Sequence, residues 1–211
     1  VLSHAGESYG AEGQTAQSVF AAQERDAVVD AATALRDAGL PCPVVSVGST
    51  PTAHSATDLT GVTELRAGVY VFFDLVMAGI GVCDVDDIAL SVLTTVIGHQ
   101  DAKGWTICDA GWMAMSRDRG TAAQRVDQGY GLVCDENGTL IEGLYVKQAN
   151  QEHGVIARRP DFQGDLPEFP IGTRLRILPN HACATASQHG HYNVIPAKGG
   201  PLMQWERFGG W

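Results

Sequence analysis

Residues Pro43-Val44-Val45-Ser46-Val47-Gly48-Ser49-Thr50-Pro51-Thr52 decide the fold class. Pro43 to Val47 is a short apolar run rich in valine, the pattern of a strand buried on both faces. It stops in a glycine, two hydroxyl residues and a proline. That combination starts a helix, because Ser or Thr caps the first turn and proline fits there without losing a needed donor. A strand passing through a short polar loop into a helix is a βα unit. Upstream, residues 14–38 place Val19, Phe20, Val28, Val29, Ala32 and Leu35 at roughly helical spacing, and Gly39 with Pro41 ends the pattern. Val1-Leu2-Ser3-His4-Ala5-Gly6 reads as a strand entering a loop, and Val69-Tyr70-Val71-Phe72-Phe73 as a further strand. Strand and helix alternating through short connections imply a parallel sheet or barrel.

From about Ile88 the pattern changes to short β runs at 90–96, 104–108, 131–134, 154–157 and 174–178. Asn137-Gly138, between Cys134 and Leu140, is a strong hairpin turn. It is preferred to the glycosylation reading of Asn137-Gly138-Thr139, because these residues contain no secretory signal pattern. The expectation is an α/β region over 1–85 followed by a mostly β domain over 86–211.

Composition narrows the function classes. With 45% hydrophobic and 18% charged residues the chain is globular, and its net charge of −10 argues against nucleic acid and anionic membranes as partners. No apolar run approaches the roughly 18 residues of a membrane span. Cys42, Cys83, Cys108, Cys134 and Cys183 are odd in number and scattered, as reduced thiols of a cytoplasmic protein would be, four of them buried as small hydrophobes. The chain opens on Val1 inside a strand pattern, so something is expected to precede it.

Three places can carry chemistry. The Gly48-Ser49-Thr50 loop ends a strand, where βα units put their active sites; it can hold a phosphate, or it can simply cap a helix. Tyr9, closing His4-Ala5-Gly6-Glu7-Ser8-Tyr9, can present a phenol to the same face or merely pack. His181 and Cys183, in Pro179-Asn180-His181-Ala182-Cys183, stand two residues apart. In an extended segment such residues share a face, and imidazole with thiolate can share one tetrahedral ion. Two ligands make an open half-site; the alternative is a chance pairing. His153 and Asp109 read as turn residues, the acids from Asp74 to Asp87 as a solvated face, and His189 with His191 as part of an exposed loop.

Taken in order, Ser46-Val47-Gly48-Ser49-Thr50-Pro51-Thr52, Thr63-Glu64-Leu65-Arg66-Ala67-Gly68-Val69-Tyr70, Cys108-Asp109-Ala110-Gly111, Gln151-Glu152-His153-Gly154 and Pro179-Asn180-His181-Ala182-Cys183 resemble the D-serine dehydratase / D-threonine aldolase family, pyridoxal-phosphate enzymes of the alanine-racemase fold type. The resemblance implies the late strands and helices of a (β/α)8 barrel over 1–85, then a β domain carrying the metal site over 86–211. It implies that Gly48, Ser49 and Thr50 hold the phosphate of pyridoxal 5'-phosphate and that Tyr9 approaches its ring. It implies that His181 and Cys183 bind Zn2+, with Mn2+ as the alternative ion. The activity implied is lyase chemistry on small 3-hydroxy D-amino acids, either D-serine dehydratase-like β-elimination or D-threonine aldolase-like cleavage to glycine and an aldehyde, in a cytoplasmic homodimer.

One departure stands against this. The family's Schiff-base lysine lies near its N-terminus, whereas Lys103, Lys147 and Lys198 all fall in the β region and none matches it. The chain is therefore expected to be the C-terminal half of a larger enzyme, needing a missing N-terminal barrel half with about five more barrel strands. The different-class alternative is a non-catalytic cofactor-binding half-enzyme.

Overall fold

The computed structural model describes residues 1–209. The chain forms two compact units, Val1–Leu90 with Gly120–Asp127, and Ser91–Arg119 with residues 128–209. No helix among the described residues is long and apolar enough to cross a membrane.

In the first unit, helix α1 (Gln14–Asp37) covers a small parallel sheet of β1 (Ser46–Val47) and β2 (Glu64–Leu65), and Leu2 bridges Ser46 in parallel from the other side. Val28, Ala32, Cys42, Val45 and Val47 form its core. The run 43–47 thus gives only two residues of true strand; Val45 and Val47 are buried, but Val44 is 49% exposed, so the run is not buried on both faces throughout as its apolar pattern predicts. Three parallel segments do not close a barrel. Residues 69–73, read as a strand, instead make a 3-10 turn (Val69–Val71) leading to Phe73 at φ +51. The reason is local: a left-handed residue cannot continue a strand, and Asp74 next to it caps helix α3 (Leu75–Gly79), accepting from Met77 N at 3.0 Å. Asp74 is accordingly buried at 1% exposure, so the supposed solvated acidic face loses its first member. Helix α2 (Thr50–Ser55) follows β1.

In the second unit, six antiparallel strands close into a barrel: β3 (Val92–Gln100), β4 (Trp105–Cys108), β5 (Leu132–Asp135), β6 (Leu140–Ala149), β7 (Gly154–Arg158) and β8 (Arg174–Leu178). Their order around it is β3-β4-β7-β6-β5-β8, with β8 pairing back on β3. Closure leaves the barrel no unpaired edge. Val96, Val133, Val146, Ile156 and Ile177 fill the interior at 0–1% exposure, each worth roughly 1.5–3 kcal/mol of burial. The β5–β6 connection is the turn at Asn137-Gly138: Gly138 has φ +95, and the Asp135 carboxylate accepts from Asn137 N (2.8 Å) and Thr139 N (2.9 Å). Helices α4 (Trp112–Met115) and α5 (Ala182–Ala186) follow β4 and β8, and a two-stranded hairpin of β9 (His191–Val194) and β10 (Met203–Glu206) follows α5. Of the cysteines, Cys42, Cys108 and Cys134 are buried, Cys83 is half-buried and Cys183 is exposed.

Candidate functional site

Two polar clusters are built from the residues singled out by sequence, one in each unit.

In the first unit the loop after β1 meets the loop after the opening segment. His4 Nδ1 lies 3.0 Å from Gly48 O, and its ring sits 6.0 Å from that of Tyr9, which belongs to the 3-10 turn Gly6–Gly10. Ser8 Oγ and Ser49 Oγ are 3.3 Å apart. Gly48 has φ +136, and a Cβ there would strike the Arg66 backbone at 2.4 Å. Glycine is therefore demanded by the close approach of β2, and a left-handed φ is cheap only for glycine. Its N–H donates to Glu24 Oε1 at 3.0 Å. Ser49 is the N-cap of α2: its side chain accepts from Thr52 N, while Ser49 N donates to Thr52 Oγ1 (3.2 Å), a reciprocal capping box. The Gly48 amide and the Ser49 hydroxyl are thus engaged within the protein. Thr50 differs. It is 1% exposed, and its Oγ1 is buried with no hydrogen-bond partner among the described residues. An orphaned buried hydroxyl costs about 1–3 kcal/mol, which is the mark of a donor awaiting an acceptor.

In the second unit, His181 is the N-cap residue of α5 and Cys183 lies in its first turn. The pair is not extended, so strand alternation is not what joins them. His181 keeps φ −137 and ψ 104, and the chain turns helical at Ala182, with the Cys183 thiol close enough to act on the imidazole. The corner is anchored by buried Asn180, whose Nδ2 donates to Gly129 O at 2.6 Å, and by Thr185 Oγ1 donating to Met115 O at 2.7 Å.

Sequence reasoning missed one member of this cluster, Asp118. Its Oδ2 is 2.6 Å from His181 Nδ1. Nearby, Ser116 holds φ +79, a region costly for a non-glycine residue, and its Oγ accepts from Asp118 N at 3.2 Å. The strained turn aims the carboxylate at the ring. Hydrogen bonding to Cys183, with further help from Asp118, raises the His181 pKa to about 9 against the opposing effect of burial. No third His, Cys, Asp or Glu among the described residues joins this pair as a metal-holding group. Imidazole with thiolate is a donor set that suits zinc.

The remaining candidates are structural. Asp109 accepts from Thr94 Oγ1 (2.7 Å) and Thr95 N (2.8 Å), tying two strands. His153 Nε2 pairs with Asn150 Nδ2 at 2.9 Å within its turn. His189 bonds Ala114 O (2.9 Å), while His191 is an exposed residue of β9. Cys83 is pushed up to about 12 by burial and by the neighbouring Asp87, Asp74 and Asp84.

Residues 89–195 match the family model described as "Putative serine dehydratase domain". The chain is 61% identical over 213 residues to D-threo-3-hydroxyaspartate dehydratase of Delftia sp. (strain HT23), covering all of this chain and 56% of that enzyme. It is 30% identical to D-serine dehydratase of Dictyostelium discoideum, over 92% of this chain and 50% of the relative. The solved Delftia enzyme superposes with a TM-score of 0.93 at 60% identity. That enzyme has also been solved as a cysteine-to-alanine variant in a metal-free form, and as a histidine-to-alanine variant at the position two residues earlier. An alanine racemase-like protein from Idiomarina loihiensis gives a TM-score of 0.92 at 51% identity, covering 100% of this chain and 56% of its own. The chain thus spans about half the length of the relatives it matches. With the family model covering the barrel unit and these identities running along the whole chain, the chain belongs to the serine dehydratase-domain family.

Proposed function

We propose that this chain is the C-terminal half of a pyridoxal-phosphate- and metal-dependent lyase that removes the 3-hydroxyl of a D-amino acid by β-elimination. The observation that carries the reading is the His181–Cys183 pair backed by Asp118 at 2.6 Å, in a chain 61% identical to a D-threo-3-hydroxyaspartate dehydratase. The histidine and cysteine variants of that enzyme, two positions apart and one of them metal-free, support His181 and Cys183 as the metal ligands, with zinc the preferred ion. The same name favours a 3-hydroxyaspartate-like substrate over D-serine. On this reading residues 1–85 are the late βα units of a (β/α)8 barrel and 86–211 the β domain. The Schiff-base lysine belongs to an N-terminal half, and the whole enzyme is a cytoplasmic homodimer.

The residues present fit both groups. The unpartnered Thr50 hydroxyl is the donor a cofactor phosphate would satisfy, Ser49 and Gly48 set the turn that presents it, and Tyr9, beside His4 over the same loop, is the aromatic for the ring side. The cofactor would supply an electron sink for charge released at Cα, and the metal a Lewis acid at the departing hydroxyl. Asp118, at 2.6 Å from His181 Nδ1, would fix the ring as a ligand. Cys183 is exposed beside it, so an ion held by the pair would be open to substrate.

The test is product analysis. The whole protein with D-threo-3-hydroxyaspartate and D-serine should release ammonia and a 2-oxo acid, and chelation should stop it. Glycine and an aldehyde would identify the aldolase instead. No turnover, together with no cofactor-bearing lysine in the preparation, would leave only a binding protein.

A further inference from the structure

Glu24 is a carboxylate in the middle of α1, buried at 6% exposure. It shares the inner face of the helix with Gln17, Ala21, Val28 and Ala32. Its two oxygens take different parts of the 48–52 loop. Oε1 accepts from Gly48 N at 3.0 Å and Oε2 accepts from Thr52 Oγ1 at 2.9 Å. A carboxylate can only accept, so the single proton of Thr52 is spent on it. Thr52 Oγ1 must then accept from Ser49, whose Oγ is 3.0 Å away and whose N is 3.2 Å away. Ser49, having given up its proton, accepts in turn from Ser8 Oγ at 3.3 Å. Three hydroxyls thus donate in one direction, from Ser8 through Ser49 and Thr52 to Glu24, and Thr50 keeps the one loop hydroxyl left uncommitted.

We infer that Glu24 is a positioning residue for phosphate recognition: by ordering the hydroxyls of Thr52, Ser49 and Ser8 and pinning Gly48, it holds the loop in the form in which Thr50 donates to the cofactor phosphate. The inference rests on the reading of this loop as the phosphate site. Replacing the acid by the amide of the same shape makes the point sharply. In Glu24→Gln one terminal atom becomes a donor, so either the Gly48 contact is lost or Thr52 must turn and send its proton toward Ser49, reversing the chain.

The experiment measures dissociation constants of the whole protein for pyridoxal phosphate and for pyridoxal, which lacks the phosphate, by absorbance or fluorescence titration. Wild type should favour the phosphorylated form strongly. Glu24→Gln should weaken pyridoxal phosphate about tenfold, the equivalent of 1.4 kcal/mol, and leave pyridoxal within about twofold, so the preference collapses. A general loss of structure would weaken both equally and would overturn the inference. Thr50→Val separates the two ideas. If it also collapses the preference, the loop is the phosphate site and Glu24→Gln decides the role of Glu24. If it leaves the preference intact, the phosphate reading itself fails. Should Glu24→Gln not fold, Thr52→Val against Thr52→Ser cuts the same link: the valine should collapse the preference and the serine keep it, and equal behaviour of the two overturns the inference.

Discussion

Around the 48–52 loop the polar groups are sunk into the protein and spent on one another. Ser8, Ser49 and Thr52 are at most 3% exposed, and their hydroxyls run in a chain that ends on a buried carboxylate. Around His181 the arrangement is the reverse. The ring keeps 42% of its side-chain surface, Cys183 is exposed, and Asp118, itself 37% exposed, is the carboxylate partner of the pair. The first is suited to an anchored group that stays in place, since its geometry is fixed before anything binds. The second would suit an ion that exchanges ligands, since two protein donors would leave coordination positions unfilled.

This contrast can be broken from the exposed side first. Cys183→Ala should abolish turnover, by on the order of a hundredfold or more, with cofactor absorbance retained; normal turnover with normal metal content would remove Cys183 from the site. Asp118→Ala leaves both proposed ligands in place but frees the His181 ring to rotate, and should weaken metal binding by about 10–100-fold. A competition titration against a chromophoric chelator reads this, and unchanged affinity would reduce Asp118 to a surface neighbour. On the buried side, Thr50→Val should cost about tenfold in pyridoxal phosphate affinity, the value of one hydrogen bond to a charged group, with metal content untouched.

The smallest effect is a pH dependence. In metal-free protein the His181 pKa is raised from 6.5 to about 9. The stability this adds is fully present below pH 6.5 and is lost as pH rises through about 9. Chelated wild type should therefore lose its Tm advantage over chelated Cys183→Ala, which removes the largest cause of the shift, between pH 6.5 and 9, by a few degrees at most. A gap that widens with pH would contradict the assignment.

Much of this was legible in the residues. The helix over 14–37 announces itself by periodicity and a glycine stop, and the runs at 104–108, 131–134, 154–157 and 174–178 each lie on a barrel strand. What escaped did so for physical reasons. Glu24 stands among polar helix residues and looks solvent-facing, while Val19, which looks like core, is 52% exposed. The inner face of α1 is polar at one end because it serves a loop there. Asp118 is 63 residues from His181 in sequence, and only folding brings them together. Residues 69–73 carry strand composition, but the positive φ of Phe73 and the cap at Asp74 override it. Strands β9 and β10 alternate polar and apolar residues over only four positions each, too short a run to stand out, and no residue of either is buried.

The excursion of Gly120–Asp127 has a practical consequence. The polypeptide leaves the barrel unit, contributes eight residues to the first unit, and returns. There Gln124 donates to Val76 O at 3.1 Å, and its side chain fills the space where a Cβ on Gly79 would sit. A gene cut at the obvious boundary after Leu90 would therefore not yield two autonomous pieces. The upstream fragment would lack part of its own packing until the downstream fragment returned it. The two should be recoverable only by complementation, and recombination between relatives at that point should be penalised unless the 120–127 segment is inherited together with residues 1–90.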